Sequence, residues 1–374
     1  MTKLIKGILI FANILVFLSL LLAKIASTVS PDKWLFPSYF SFAVFPLILA
    51  NLFFLLFWIF TRKWWFLLPL FSFVLFFGIM RAVFPVNLSK PKVNEKDKKI
   101  TFLTYNTMAM GNMKEYSPEK SNPVVQYILF RDADIVCLQE FAISDNEGQF
   151  QEKDFKRYFD KYPYRHIKYK LSRWNMHQGL VTLSKYPIIN KQDVDYEAKF
   201  NLSIYSDIVI GDDTVRVINN HLESNRITAQ DMQQTSQLRK EFDSEKLTDI
   251  TKYLSGKLGT AAKVRAAQAK VIDKLKKNTP PNYRMIVCGD FNDVPAAYTY
   301  TKVKGNLHDA FCENETGLGW TYNRSLFRFR IDYILYDDSF TSANYKRGNL
   351  RKSDHYPVQV DLYLKKRGAV SSEQ

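Results

Sequence analysis

The sequence predicts a layered α/β domain, two sheets with helices outside them, preceded by three transmembrane helices. Three long uncharged runs lie in the first 80 residues, and beyond residue 99 short apolar runs alternate with helical patterns. A membrane-spanning helix needs roughly 20 apolar residues, whereas a strand needs only about four to eight. At 374 residues, the chain has room for both parts.

The uncharged runs cover residues 7–23, 35–60 and 64–80, within a predicted membrane region at 1–86. Tryptophans stand at or near the ends of these runs, as aromatic residues do at membrane interfaces: Trp34, Trp58, Trp64 and Trp65. Buried core helices would have to be three helices with almost no polar face. Membrane spans are therefore the favoured interpretation.

The orientation follows from the basic residues around these runs. Lys3 and Lys6 precede the first run, and the turn at 61–63 between the second and third is also basic. The positive-inside rule places both in the cytoplasm. A cleaved signal peptide is the alternative for the first run, with a cleavage site at 23–26, but the later runs favour an anchor. We expect a multi-pass protein of the plasma or inner membrane, with the later domain on the extracytoplasmic side.

The net charge of +15 does not by itself indicate a nucleic-acid partner. The first 100 residues hold 12 Lys and Arg against 3 Asp and Glu, so most of the excess lies beside the spans or in a basic linker at 87–98. Such a linker is usually solvated, although its lysines also suit anionic headgroups. The charge therefore says little about the substrate.

The cysteines are Cys137, Cys288 and Cys312, and their spacing fits no metal site. An odd number in an exported domain argues against a framework of disulfides. Two of the three stand inside apolar runs, which favours buried, inert thiols.

From residue 99 to residue 366 the chain has the texture of a soluble domain, followed by a tail at 367–374. Helices are predicted at 123–131 and 263–277, and the polar stretch 224–260 predicts an exposed, partly helical excursion. Strands are predicted where Val, Ile and aromatic residues form short runs bounded by turn residues, at 100–104, 135–138, 180–183, 204–210, 215–218, 285–288, 331–335 and 358–364.

Polar side chains recur where these strands meet loops. In VCGDFNDVP a buried strand is followed at once by Asp290 and Asn292. Any one such residue is explained as a turn or cap residue. The whole set favours a site built on a rigid sheet rim: Asn106, Glu140, His221, Asp290, Asn292, Asp332, Asp354 and His355.

The motifs TYNT, LQE, NHL, GDFN, IDY and SDH, in this order and at these spacings, resemble the endonuclease/exonuclease/phosphatase superfamily. This deoxyribonuclease I-like fold is shared by base-excision endonucleases, sphingomyelinases and inositol-polyphosphate phosphatases. The resemblance covers roughly residues 99–365, and GDFN with SDH is its most specific pair. It implies a four-layered α/β sandwich of two mostly antiparallel sheets, and a metal-dependent hydrolase that acts on phosphoric esters.

Hydrolysis of a phosphoric ester needs a metal ion, a positioned water and donors for the developing charge. Glu140 is the best candidate metal ligand, with Asn106 beside it as a neutral ligand or orienter, and Asp354 is expected to join them. These hard oxygen donors favour Mg²⁺ or Mn²⁺ over zinc.

Asp290 is the predicted base or water-orienting acid, and Asn292 the residue that holds the water or a phosphate oxygen. His355 is predicted to bind phosphate or handle a proton, with Asp332 fixing its tautomer. His221 resembles the second histidine, or general acid, of the nuclease and sphingomyelinase branches. The other histidines match no motif and are expected to have packing or surface roles: His166, His177 and His308.

The substrate stays open among nucleic acid, phospholipid and small phosphodiesters, with the lipid bilayer as the other partner and no obligate protein partner. Lys168, Lys170, Arg173 and Trp174 form a possible nucleic-acid strip. Tethering to a membrane would benefit a lipid substrate more. Fold resemblance cannot choose between these substrates.

Two further classes of function compete with an enzyme. An inactive family member could serve as a membrane-tethered binding module, but no motif position is lost here. A transporter is less favoured, because the spans carry no charge and only Asn13 and Asn51 as strong polar groups.

Overall fold

The computed structural model describes residues 2–112, 122–194, 196, 201–227, 231, 244–324 and 328–366. The chain divides into two compact units, the first made of Met1–Val83, Glu223–Asp273 and Asn292–Val303, and the second of Phe84–Leu222, Lys274–Phe291 and Lys304–Gln374. The predicted tail at 367–374 lies outside the described residues, as do 228–230 and 232–243 of the predicted excursion.

The helices of the described residues fall in three parts of the chain. The apolar region holds α1 (Lys3–Thr28), α2 (Val44–Phe60), α3 (Leu67–Leu75) and α4 (Phe77–Val83), with 3₁₀ segments at Phe36–Ala43 and Trp64–Phe66. The first half of the soluble region holds α5 (Met108–Asn112), α6 (Pro123–Arg131) and α7 (Glu152–Tyr158). The second half holds α8 (Ser244–Lys277), α9 (Tyr298–Lys304) and α10 (Ala310–Asn314).

Two helical segments, Lys3–Thr28 and Phe36–Phe60, are long and apolar enough to cross a membrane. The third predicted span is a pair of helices, Trp64–Leu75 and Phe77–Val83, bent by 69°. Gly78, a poor helix former, stands just after the break. The described residues therefore contain two candidate spans, or three if the bent pair is one span.

Twelve strands of the described residues form two six-stranded sheets. The first has the order β11-β12-β1-β2-β4-β3 and the second β5-β6-β7-β8-β10-β9. Within each sheet one neighbouring pair is parallel, β1 with β2 and β7 with β8, and the other pairs are antiparallel. The strands are β1 (Lys98–Asn106), β2 (Ile135–Ser144), β3 (Tyr164–Arg173), β4 (Met176–Ser184), β5 (Ile188–Val194), β6 (Leu202–Ile210), β7 (Asp213–His221), β8 (Arg284–Asp290), β9 (His308–Asp309), β10 (Asp332–Tyr336), β11 (Phe340–Arg347) and β12 (Val358–Leu364).

The core lies between the two sheets, and helices cover the outer face of the first. Ile100 and Phe102 of β1 point into the cluster that both sheets share, whereas Leu103 and Tyr105 point to the opposite face. This alternation is the period of two that strand geometry imposes. On that opposite face, α6 and α7 pack against β1, β2 and β4. The predicted α/β sandwich of two mostly antiparallel sheets is confirmed.

All three cysteines are buried free thiols, as the sequence predicts. Cys137 and Cys288 belong to the core between the sheets, and burial raises the pKa of the Cys288 thiol well above its ordinary value. The thiols therefore act as small apolar side chains in packing.

Candidate active site

Strand pairing brings three of the predicted site residues together at the ends of three neighbouring strands of the second sheet. In the parallel pair β7 and β8, His221 lies beside Asp290, and in the antiparallel pair β8 and β10, Asp332 lies opposite Asp290. In the first sheet Asn106 ends β1 opposite Gln139, the residue before Glu140. Strand pairing fixes the backbone positions of these residues, so the site stands on rigid elements.

The side-chain amide of Asn106 joins the two sheets at this rim. Its Nδ2 donates to Glu140 Oε1 at 3.2 Å and to Asp290 Oδ2 at 2.9 Å. Its Oδ1 accepts the backbone N–H of Met108 at 3.1 Å, which fixes the orientation of the amide. Gln178 donates to the other oxygen of Glu140 at 3.2 Å. Asn106 thus holds two carboxylates within reach of one bound group.

Backbone strain marks two of the predicted site residues. Glu140 has a φ of 49° and Asn292 a φ of 52°, values that non-glycine residues seldom adopt. The register of β2 against β4 shifts between Leu138 and Phe141, so Glu140 sits on a bulge. Such strain clusters at functional sites, where the surrounding fold holds it.

Gly289, the residue before Asp290, permits a close approach of β7 and β8. Its φ is 115°, and a Cβ there would lie 2.1 Å from the Asn220 carbonyl oxygen. Any side chain would push the two strands apart. The glycine of the GDFN motif therefore sets the spacing between His221 and Asp290.

His355 and Asp332 form a buried pair against Asp290. Nδ1 of His355 is 2.8 Å from Asp332 Oδ2, and its Nε2 is 3.6 Å from Asp290 Oδ2. The backbone N–H of His355 donates to Ser353 Oγ at 3.0 Å, and that hydroxyl donates to the Asn106 carbonyl at 2.8 Å. The Tyr322 ring packs against the imidazole with ring centroids 5.2 Å apart. The imidazole is thus fixed through Nδ1 and one ring contact, and its Nε2 faces Asp290.

His221 also lies close to Glu140 and Asp290. Its Nε2 is 3.5 Å from Glu140 Oε1 and 3.9 Å from Asp290 Oδ2. Two imidazoles thus flank Asp290, one from β7 and one from the segment before β12. A phosphoryl group between them would meet two nitrogen donors.

The balance of burial and neighbouring charges raises the pKa values of both Asp290 and His355 above their ordinary values. Burial raises the pKa of Asp290 to about 6, with the charge of Asp332 adding to it against the opposing effect of His355. Burial disfavours the His355 cation, but the charges of Asp332 and Asp290 outweigh it and raise its pKa to about 10. At neutral pH His355 is therefore a cation and Asp290 a carboxylate with raised basicity.

Two sets of residues offer metal ligands. Asp290, Asp332 and His355 place one ligand atom each within 4.8 Å of one another. In this set His355 Nδ1 and Asp332 Oδ2 already bond to each other, and one of the three ligands is an imidazole nitrogen rather than the oxygen that Mg²⁺ prefers. Glu140 and Asp290 offer hard carboxylate oxygen atoms that the Asn106 amide holds together, and Glu140 keeps 30% of its side chain exposed. This second set fits a hard divalent ion better.

The other predicted site residues lie as follows. Asp354 contacts Arg324, whose Nε is 3.1 Å from its Oδ2, at the start of the segment that leads into β12. Asn292 is buried and belongs to the first compact unit, two residues after Asp290 along the chain. Their assigned roles stay predictions.

The remaining histidines have the packing or surface positions expected for them. His166 is buried, with Nδ1 3.0 Å from Ser206 Oγ, and burial lowers its pKa. His177 contacts Asp145 at 2.8 Å near the tip of the β3–β4 hairpin, and His308 makes a surface contact with a carboxylate.

Sequence reasoning gave no role to Ser353 or Tyr322. Ser353 stands in the SDH motif, which could have identified it. Tyr322 comes from a loop with no recognisable pattern, so only the fold brings it to His355.

A model of the Endonuclease/Exonuclease/phosphatase family matches residues 103–355. A second model, described as a domain of unknown function, matches residues 6–83. A comparison with curated proteins finds no match.

Solved structures similar to this chain include three from different sources. An endonuclease/exonuclease/phosphatase family protein from Leptotrichia buccalis has 15% identity and a TM-score of 0.49, covering 71% of this chain and 100% of that one. The human Nocturnin catalytic domain with bound sulfate has 17% identity and a TM-score of 0.48, covering 72% of this chain and 96% of that one. Sphingomyelinase C from Streptomyces griseocarneus has 18% identity and a TM-score of 0.45, covering 71% of this chain and 99% of that one. At these values the similarities carry no information on substrate.

Proposed function

The chain belongs to the endonuclease/exonuclease/phosphatase family, and we propose that it is a membrane-anchored phosphodiesterase that works outside the cytoplasm with Mg²⁺ or Mn²⁺. Membership gives the reaction class, because the family's members are metal-dependent hydrolases of phosphoric esters. The observation that supports the finer proposal is the Asn106 amide, which holds Glu140 and Asp290 together while His355 stands 3.6 Å from Asp290.

We assign Glu140 to the metal ion, with Asp290 at its edge and Asp354 as a further predicted ligand, and Asn106 as the residue that orients Glu140 and Asp290. When bound, the ion neutralises charge on the phosphoryl oxygens. Gln178 orients the Glu140 carboxylate from behind, as an outer-shell partner does.

Asp290 takes the proton of the attacking water in this proposal. Its raised pKa of about 6 leaves it ionised at neutral pH, yet close enough to the working pH to accept a proton efficiently. Asn292, next but one along the chain, orients the water or a phosphate oxygen.

His355 acts as a fixed cation for the phosphoryl oxygens, because Asp332 keeps it protonated and fixes its orientation. His221, whose Nε2 is 3.9 Å from Asp290 Oδ2, protonates the leaving oxygen. These assignments give each buried charged group at the rim a partner and a task.

The family domain is expected to lie outside the cytoplasm, because Lys3, Lys6 and the 61–63 turn mark the cytoplasmic ends of the apolar helices. A reporter that is active only outside the cytoplasm, fused after residue 99, should be active. A silent reporter there, together with an active cytoplasmic one, would overturn this topology.

A phospholipid is the substrate that we propose. The segments that follow His221 and Phe291 in the chain, Glu223–Asp273 and Asn292–Val303, belong to the same compact unit as the apolar helices. The domain that carries the site is therefore tethered to the apolar helices by the chain at several points. Tethering to a membrane benefits most a substrate that lies in the same bilayer.

The test is a substrate panel with the full-length protein in vesicles. Phospholipid vesicles, single-stranded DNA, RNA and a small soluble diester are compared with Mg²⁺, with Mn²⁺ and with excess chelator. We expect metal-dependent release of product from the lipid at the highest rate. Faster hydrolysis of DNA or RNA would favour a nuclease, for which Trp174, 92% exposed at a hairpin tip beside Arg173, offers a stacking platform. No hydrolysis under any condition would indicate the inactive binding module.

A further inference from the structure

Arg265 of α8 is a buried cation with three partners, and 1% of its surface is exposed. Its Nε donates to Asp293 Oδ2 at 3.0 Å, and its Nη1 donates to the Glu223 carbonyl at 2.9 Å and to Asn225 Oδ1 at 2.8 Å. Burying a guanidinium costs desolvation free energy that only well-made bonds offset. The three bonds therefore indicate why a charged side chain stands here.

The partners of Arg265 come from two loops that each begin at a proposed catalytic residue. Glu223 is the second residue after His221, and Asp293 is the residue after Asn292. β7 and β8 are parallel neighbours, so both loops leave the sheet at the same edge. One side chain therefore binds the two chain segments that lead out of the site.

A second side chain on the same face of α8 completes the hold on Glu223. Gln268, three residues after Arg265, accepts the Glu223 backbone N–H through Oε1 at 2.9 Å. Arg265 donates to the Glu223 carbonyl, so α8 binds both the N–H and the C=O of Glu223. The loop after β7 is thus tied down at its second residue.

Helix α8 is itself firmly seated within the first compact unit. A Cβ at Gly259 would lie 2.8 Å from Leu35 Cδ2 and 3.0 Å from the Tyr39 hydroxyl, and that hydroxyl donates to the Ser255 carbonyl at 3.0 Å. This face of α8 therefore packs closely against the 35–39 segment, and a hydrogen bond joins the two. The guanidinium therefore projects from a fixed base.

We propose that Arg265 is a positioning residue for ester hydrolysis, which fixes the loops after β7 and β8 and thereby the placement of His221 and Asn292. The proposal rests on the proposed function, in which these two residues act on the ester. A displacement of about 1 Å can cost roughly 10²-fold in rate. Lysine keeps the charge but not the planar fork, so it cannot bind both loops as arginine does.

The test compares Arg265→Lys with a matched control, Arg216→Lys, in the full-length protein. Arg216 is also buried and makes a two-bond pair with Asp207, but it lies towards the other end of β7 from His221. For Arg265→Lys we expect kcat to fall roughly 10- to 100-fold with little change in KM. For Arg216→Lys we expect a lower Tm and an unchanged kcat. Equal effects on kcat in both variants would overturn the proposal.

Adding Arg265→Lys to a variant with both His221→Ala and Asn292→Ala separates a positioning role from general destabilisation. If Arg265 acts through His221 and Asn292, Arg265→Lys should lower the residual rate hardly at all when both are already alanine. A further loss of about tenfold in that background would contradict the proposal. Should Arg265→Lys fail to fold, Asp293→Asn removes one bond only and should lower kcat in the same direction by a smaller factor.

Hydrogen exchange gives a readout that does not need activity. Arg265→Lys should raise deuterium uptake in peptides that cover residues 222–226 and 291–295, but not in Leu202–Ile210 of β6. Unchanged uptake with a lower kcat would overturn the positioning role and leave the proposed function standing. Raised uptake in a protein that hydrolyses no ester would overturn the proposed function and keep Arg265 as the residue that fixes both loops.

Discussion

Glu140→Gln is expected to remove most of the metal-dependent hydrolysis of the full-length protein. Glutamine keeps the shape but has one oxygen to accept the bonds from Asn106 and Gln178, and it removes the negative charge of the main proposed ligand. The loss should exceed the roughly 10- to 100-fold that follows from losing an outer-shell partner. Initial rates measured against Mg²⁺ concentration should show both a lower maximum and a higher half-saturating concentration.

Glu152→Gln provides the matched control for this prediction. Glu152 is exposed on α7, where it pairs with Lys156 one turn on, and its loss should leave both the rate and the metal dependence unchanged. Full activity of Glu140→Gln, or full activity of the unchanged protein in excess chelator, would show that no ion acts at Glu140.

The eight strands predicted from sequence are all present, and the four that were missed are the four sheet edges. β3 and β11 border the first sheet, and β5 and β9 border the second. Edge strands are half-exposed and carry charge that discourages pairing with other chains. β5, for example, reads IINKQDV and exposes most of its residues. Apolar patterning detects strands by burial, so it finds the interior of a sheet and not its borders.

The apolar helices were also predicted from apolar patterning, which detects a long apolar run but not a bend within it. Hydropathy measures length and composition, which identified all three runs. It does not measure direction, and the third run bends by 69° between Leu75 and Phe77. A straight span and a bent pair have the same composition, so only the backbone distinguishes them.

The sequence predicted which residues form the candidate site, but not the hydrogen bonds between them. Strand ends and motifs identified Asn106, Glu140 and Asp290, whereas the single amide that joins the two carboxylates is a contact over long sequence separation. Arg265 gave no signal at all, since one arginine in a helical pattern is usually a solvated residue. Its burial depends on where α8 packs, which sequence spacing does not contain.

Asp332→Asn is expected to lower the rate of hydrolysis by roughly 10²- to 10⁴-fold, the range for losing positioned acid–base help. Asp332 is 2% exposed, and its Oδ2 lies 2.8 Å from Nδ1 of the buried His355. Asparagine keeps the shape but removes the charge that favours the imidazolium. The fall should appear in kcat, measured on any phosphodiester that the protein hydrolyses.

A purely structural role for Asp332 gives a different result. If it only begins β10, Asp332→Asn should cost about 1 kcal/mol of stability, the usual worth of a lost cap, and leave kcat nearly intact. Asp337→Asn is the matched control, since Asp337 follows the other end of β10 and accepts the Met285 N–H at 2.7 Å. This control should lower Tm without lowering kcat.

The double variant decides whether Asp332 and His355 work as a unit. Because Asp332 is proposed to act through His355, Asp332→Asn with His355→Ala should be hardly slower than His355→Ala alone. The cycle needs the two single variants, the double variant and the unchanged protein, each with its Tm measured so that folding is known. If the losses add in the logarithm of the rate, the two residues act independently, and Asp332 is then a strand residue that happens to contact the imidazole.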